Sequence, residues 1–143
     1  MDIRWGYNNV PIKPDDRWKA AFITPLRLFE PTVMFFGLCN SPATFQALMN
    51  HIFGDLIAEG WHIVYMDDVL IHSNNQELHT EWMRKVLERL RKHKLFLKLE
   101  KYFFDKAEVE YLGMIVKEGH VGMVPVKLAA IQEWKPPSSV KGV

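Results

Sequence analysis

Apolar residues fall on one helical face from Phe45 onward: Phe45, Leu48, Met49, Ile52, Phe53, Leu56 and Ile57 keep an i, i+3, i+4, i+7 rhythm. Ser41 is a good N-cap, Pro42 suits the first helical position, and Gly60 is a natural stop, so a helix is predicted over 41–58. A second apolar stripe, Leu78, Trp82, Val86, Leu87 and Leu90, follows Asn74-Asn75 and predicts a second helix capped there. Between the helices lies WHIVYMDDVLIH, residues 61–72, two β-branched and aromatic runs on either side of two aspartates. That pattern predicts a hairpin with Asp67 and Asp68 at its tip.

The remaining segments read less sharply. Residues 1–12 suggest a short strand, a turn around Asn8-Asn9 and a second extended piece, with a loop at Pro11 to Asp16. Residues 19–24 and 28–35 look like two strands of one hairpin, and 95–99 and 109–116 like single strands. Glu118-Gly119 predicts a turn before a strand at 120–124, and 126–134 a short helix ahead of Pro136-Pro137. The periodicity by itself gives an α+β class, compatible with an antiparallel sheet covered by two helices on one face, the split βαβ arrangement.

Composition narrows the class. A length of 143 residues suits one domain, and 48% apolar residues is enough to build its core. The longest apolar stretch, 33–39, is far too short to span a membrane, so no membrane partner is expected. Cys39 is alone and cannot form an internal disulfide, which fits an intracellular protein. Net charge is only +1, yet residues 84–106 hold nine Lys or Arg against three acids. Such a stretch either faces a phosphate backbone or is an ordinary solvated helix face.

Two carboxylates side by side repel each other, and a divalent cation is the usual neutraliser. An Asp-Asp pair alone is more often a plain turn. Here it occurs in an ordered series of blocks: DIRWGY at 2–7, RWKAAFIT at 17–24, FGLCNSPATFQ at 36–46, VYMDDVLIHS at 64–73, LKLEKYFF at 97–104 and VEYLGMIV at 109–116. In this the chain resembles the reverse transcriptase palm of gypsy-type long-terminal-repeat retrotransposons, over nearly its whole length. One departure is Phe35, where the family more often has proline.

The resemblance implies a polymerase palm, an α+β, ferredoxin-like sheet. It makes 1–143 a single reverse transcriptase domain fragment: palm with part of the fingers over 1–124, and the start of the palm–thumb connection over 125–143. It implies RNA-directed DNA polymerase activity, with Asp2, Asp67 and Asp68 as catalytic carboxylates and ligands of Mg²⁺ or Mn²⁺. Lys101 corresponds to a lysine that can protonate departing pyrophosphate, with Lys98 the alternative one register away. Tyr7 corresponds to an aromatic that excludes ribonucleotides, though without the resemblance core packing is the better reading of an aromatic near a strand end. Phe36 and Gly37 line the nucleotide pocket. Gln46 is counted with them on the substrate side, in a block (Pro42, Phe45, Gln46) that also supports the helix. Asn40 and Ser41 at the helix start, Tyr65 and Met66 beside the carboxylates, and Leu112, Gly113 and Met114 of a primer-gripping hairpin would contact nucleic acid.

The implied partners are an RNA or DNA template with primer and deoxynucleoside triphosphates. Fingers, thumb and ribonuclease H parts of a larger Pol polyprotein are expected outside this chain, so the fragment is expected to be inactive alone. The implied place is intracellular and cytoplasmic, particle-associated in the parent element. The competing reading is a non-catalytic nucleic-acid-binding relic of such an element. An unrelated metal-binding domain is disfavoured by Asp2 with Tyr7.

Overall fold

Ile3 is fully buried, and its neighbours in sequence are tied on both sides to other strands. In the computed structural model, which describes residues 1–98 and 103–134, the chain divides into two compact units, Met1–Tyr102 and Phe103–Val143.

In the first unit, α1 (Ser41–Ala58) leads into β3 (His62–Tyr65) and β4 (Asp68–Ile71), an antiparallel hairpin, and then α2 (Gln76–Lys92). Two further strands, β1 (Phe22–Ile23) and β2 (Leu28–Phe29), form a separate short ladder. The N-terminal segment extends the hairpin sheet: Asp2 bridges Asp68 on one side, and Ile3 bridges Leu97 on the other, both antiparallel. Four backbone hydrogen bonds hold it, from Ile3 N–H to Asp67 O (2.9 Å), Val69 N–H to Met1 O (2.8 Å), Arg4 N–H to Phe96 O (2.7 Å) and Lys98 N–H to Asp2 O (3.1 Å).

One face of this sheet is covered by the helices, α1 against β3 and α2 against β4. Phe45, Met49, Ile52, Phe53 and Leu56 of α1 meet Val86 and Leu90 of α2 over Ile3, Val69 and Leu95. Phe45 and Phe53 are wholly buried, and truncating either to alanine costs about 3–5 kcal/mol at such sites. Trp61 stacks on Trp82 at 4.6 Å, locking the start of β3 to α2. Arg89 grips Asp55 with both guanidinium nitrogens and donates to Ile52 O at 3.0 Å, tying α2 to α1.

Several expectations are corrected here. Helix α1 begins at Ser41, but Asn40 is the residue before it and its side chain makes no capping bond. The Ser41 hydroxyl donates instead to Phe35 O (3.2 Å) and is buried. The hairpin expected over 19–24 and 28–35 shrinks to two-residue strands. Residues Pro14–Ala20 wind as a 3-10 helix, and 32–34 pair with 10–12 through Ile12 N–H to Thr32 O and Met34 N–H to Val10 O. Pro25 and Pro31 bracket β2 and limit its ladder, since proline donates no backbone bond. Asn75, by contrast, caps α2 as expected, accepting from Glu77 N–H and Leu78 N–H.

The second unit is a three-stranded antiparallel sheet, β5 (Glu108–Tyr111), β6 (Met114–Lys117) and β7 (His120–Met123), followed by α3 (Pro125–Gln132). The strand that periodicity alone gives over 109–116 is thus two strands, joined in a hairpin at the place where the resemblance implies one. Leu112 and Gly113, at φ 51° and 73°, make the two-residue turn that a chain of ordinary strand residues would not signal. Pro136 and Pro137 lie outside the described residues. Among the described residues no helix is long and apolar enough to cross a membrane.

His62 supplies a test of the core. It is buried between Phe53 and Trp61, neither ring nitrogen has a hydrogen-bond partner, and burial, helped by the Arg89 charge, pushes its pKa down to about 4. The unfolded chain binds this proton near pH 6.5 and the folded chain resists it, so stability is full above that value and falls between about pH 6.5 and 4. The slope contributed is at most about 1.4 kcal/mol per pH unit. Urea midpoints across this range should drop with acid in the natural chain and drop less in His62→Leu; equal slopes would refute the neutral core imidazole.

Candidate active site

The β3–β4 turn carries the densest chemistry. Tyr65 pairs with Asp68, leaving Met66 and Asp67 as the two central residues. Met66 sits at φ 55°, a region usually left to Gly or Asn, and a side chain there is held only if the surroundings over-determine it. The holder is Gln46 on α1. Its Oε1 accepts from Met66 N–H at 2.7 Å, and its Nε2 donates to Val64 O at 3.3 Å and to Asn50 Oδ1 at 2.8 Å. Gln46, expected on the substrate side, spends its amide on the hairpin backbone.

The strand register places four residues in one rung. Tyr65 faces Asp68 within the hairpin, Asp68 bridges Asp2, and the Ile3–Leu97 bridge sets Lys98 opposite Asp2. Directly opposed side chains share a sheet face, with Cβ atoms about 4.5–5.5 Å apart. The face is the one away from the core, because Ile3 and Val69, next along, are buried. Asp2 and Asp68 therefore come together as a cross-strand pair. Lys98 Nζ donates to Asp2 Oδ1 at 2.7 Å, and that bond, reinforced by the charges of Asp2, Asp67 and Asp68, raises the lysine's pKa. Among the described residues no three His, Cys, Asp or Glu side chains gather closely enough to hold one metal ion. Asp67 follows in the turn, beside Gly6, where an added Cβ would stand 3.5 Å from Asp67 Cβ and 3.3 Å from Phe45 Cζ. The missing side chain is what lets the segment after Asp2 pass so near the turn.

Tyr7 lies in the 3-10 turn Gly6–Asn9. Its ring meets Phe36 (4.9 Å) and Phe45 (5.8 Å) edge-on, and its hydroxyl reaches Met66 Sδ at 3.9 Å. Phe36 is 80% exposed and Gly37 turns at φ 106°, so this aromatic edge opens to solvent. Asn40 is exposed; Ser41 is buried with its hydroxyl on Phe35 O. Tyr65 is exposed on the rung and Met66 half-buried.

Lys101 lies outside the described residues; its alternative, Lys98, is the one on Asp2. Leu112, Gly113 and Met114 form the β5–β6 turn of the second unit. Two roles escaped the sequence reading: the Gln46 clamp and the Lys98–Asp2 pair. The first could have been suspected from a polar residue one position from Phe45 on the helix flank, the second from strand alternation in LFLK.

The donor set suits a hard divalent cation, since carboxylate oxygens are its preferred ligands and two of them already share a face. The clamp yields its own test. Gln46→Leu leaves the Met66 amide and the Val64 carbonyl without their partner, at about 1–3 kcal/mol. Urea unfolding should show that loss and hydrogen exchange should show faster exchange at the Met66 amide; unchanged values at both would mean the turn stands without Gln46.

Comparison with known proteins accords with this geometry. Residues 1–116 match the family described as reverse transcriptase (RNA-dependent DNA polymerase). The retrovirus-related Pol polyprotein from transposon opus of Drosophila melanogaster is 36% identical over 141 residues, covering 99% of this chain and 14% of the relative. The Tf2-3 transposon polyprotein of Schizosaccharomyces pombe is 31% identical over 142 residues, covering 99% and 10%. Foamy viral protease-reverse transcriptase in complex with RNA/DNA hybrid superposes with a TM-score of 0.85 at 25% identity, over 99% of this chain and 19% of that one. Its complex with dsDNA gives 0.86, also at 25%, over 99% and 29%. The chain thus spans a small part of each relative's length, and the α+β fold is that of a polymerase palm. With the residue blocks, the fold and the family match in agreement, this chain belongs to the reverse transcriptase family and is similar to the Pol polyproteins of long-terminal-repeat retrotransposons.

Proposed function

We propose that this chain carries the catalytic carboxylates of an RNA-directed DNA polymerase that adds deoxynucleotides to a primer on an RNA or DNA template. The observation that supports it most is the register that sets Asp2 opposite Asp68 at the tip of the β3–β4 hairpin. Asp2, Asp67 and Asp68 are the residues to hold Mg²⁺ or Mn²⁺. Bound there, such ions would supply charge stabilisation to the oxygens of the phosphoryl group being transferred.

The rest of the site prepares that chemistry. Gln46 fixes the turn, and with it the carboxylates, from the helix beneath. Tyr7, braced by Phe36 and Phe45, is the aromatic wall that would exclude a 2′-hydroxyl from the sugar position. Phe36 and Gly37 border the nucleotide pocket, Asn40 and Ser41 offer the start of α1 to the template, and Tyr65 and Met66 meet the primer end. Leu112, Gly113 and Met114 form the hairpin that grips the primer. Lys101 is the proton donor to pyrophosphate. Residues 1–124 are palm with part of the fingers, and 125–143 begin the connection toward the thumb. Triphosphate and duplex are held by other parts of a Pol polyprotein, in the cytoplasm and within its particle.

The direct test replaces the matching segment of a related Pol polyprotein with residues 1–143 and measures primer extension with Mg²⁺. Asp2→Asn and Asp67→Asn should each reduce extension by at least about a hundredfold, the scale on which misplaced reacting groups lose rate. Extension that survives both substitutions defeats the proposal. In the same hybrid, Tyr7→Val should raise ribonucleotide incorporation while deoxynucleotide use persists; unaltered sugar selection would reduce Tyr7 to packing. Residues 1–143 by themselves should extend a primed RNA template barely or not at all, and vigorous extension would show that the segment needs no fingers or thumb.

A further inference from the structure

Lys98 stands in the sheet rung beside Asp2, with Asp68 on the other side of Asp2. The position follows from the sequence. Leu95 and Leu97 turn into the core, so Phe96 and Lys98 turn to the opposite face, the face of Asp2. The lysine's backbone is anchored there as well, through its N–H on Asp2 O. Its ammonium is therefore not a swinging surface charge. It lies 2.7 Å from Asp2 Oδ1, the carboxylate being only 13% exposed, and it feels Asp67 and Asp68 too.

We propose that Lys98 is a built-in counter-cation for this carboxylate site, holding Asp2 in the place where a divalent ion would be coordinated and setting how tightly that ion binds. The inference rests on the carboxylates being metal ligands, and it adds a residue that acts on Asp2 rather than on substrate. Lys98 is thus a positioning residue. Asp2 and Asp68, set opposite each other across the rung with Asp67 next along the turn, repel and work against the pairing of the hairpin with the N-terminal strand. The Lys98 ammonium offsets that repulsion at Asp2, and the N-terminal ammonium of Met1 adds a second positive charge near Asp68 and Asp2. The same contact competes with a metal ion, because Asp2 Oδ1 cannot give its full donor strength to the ion while it accepts the lysine's hydrogen bond. An ion that takes Asp2 Oδ1 must displace Lys98 from it, so the site binds weakly until something else, such as the phosphates of a bound triphosphate, draws the ammonium away.

The experiment titrates Mn²⁺ into the 143-residue chain without nucleic acid, following free Mn²⁺ by electron paramagnetic resonance, and compares Lys98→Met and Lys98→Arg. Lys98→Met should bind Mn²⁺ at least about tenfold more tightly, equivalent to about 1.4 kcal/mol, and melt at a lower temperature in metal-free buffer with the deficit recovered on adding Mn²⁺. Lys98→Arg, which keeps the charge, should retain the weak binding. Asp2→Asn introduced into Lys98→Met should abolish the gain. Should Lys98→Met unfold at working temperature, the titration is run on Lys98→Gln, for which the same tightening is expected. Equal Mn²⁺ affinity in the natural chain and its uncharged variants would overturn the role of Lys98 while leaving the carboxylates as ligands. Binding by none of them would remove both.

Discussion

The pairing of residues 1–4 between the β3–β4 turn and residues 96–98 is the constraint on which the site depends. Two backbone hydrogen bonds on each side fix that segment as an inner strand, and the burial of Ile3 fixes its register. A slip of one residue would turn Ile3 to solvent and Asp2 into the core, exposing an apolar side chain and burying a charge at once. Both penalties act in the same direction. The position of Asp2 opposite Asp68 is therefore enforced by hydrophobic burial one residue away, not by any attraction between the carboxylates, which repel.

Helix α1 holds the other half of the site and does so with two faces. Phe45, Met49 and Phe53 anchor it in the core, while Gln46, one position round from Phe45, reaches over the edge to the turn. The left-handed backbone at Met66 is unfavourable for a side chain with a Cβ, by about 1–2 kcal/mol. It also places two acidic residues at the end of a tight hairpin. That strain is tolerable because the turn is hydrogen-bonded to a helix that cannot move without disrupting the core. Tyr7 belongs to the same assembly, its ring on Phe45 and its hydroxyl on Met66.

Much of this was legible in the sequence because the strongest signals are local. The stripe from Phe45 to Ile57 gave α1, Asn75 gave the cap of α2, and two apolar runs around Asp67 and Asp68 gave the hairpin. What stayed hidden depends on contacts between distant segments. Residues 32–34 pair with 10–12 rather than extending β2, and nothing in 28–35 says which partner it will take. Ser41 looks like an N-cap, but a nearby carbonyl, Phe35 O, takes its hydroxyl. In 109–116 the turn at Leu112-Gly113 is masked in the periodicity by strand-forming residues on both sides, and only the resemblance marks a hairpin there. Lys98 and Asp2 are 96 positions apart, and their contact exists only because two bridges share Asp2's strand.

The basic stretch from Arg84 to Lys106 shows how charge counted along a chain differs from charge available on a surface. Arg89 is committed to Asp55, whose carboxyl it holds down at about 2, and Lys85 to Glu81 one helical turn away. Lys98 is committed to Asp2. These three cations have different consequences. The Lys85 pair is exposed, screened by solvent and energetically slight. The Arg89 pair joins two helices and is reinforced by the bond to a backbone carbonyl. Lys98 faces the carboxylates of the candidate site, Asp2 with Asp67 and Asp68 beside it, so its charge changes what those acids can bind. A positive run in a sequence thus divides, once folded, into charges that solvate, charges that fasten and a charge that tunes a site. Which is which is decided by strand register and helix face, not by the number of lysines.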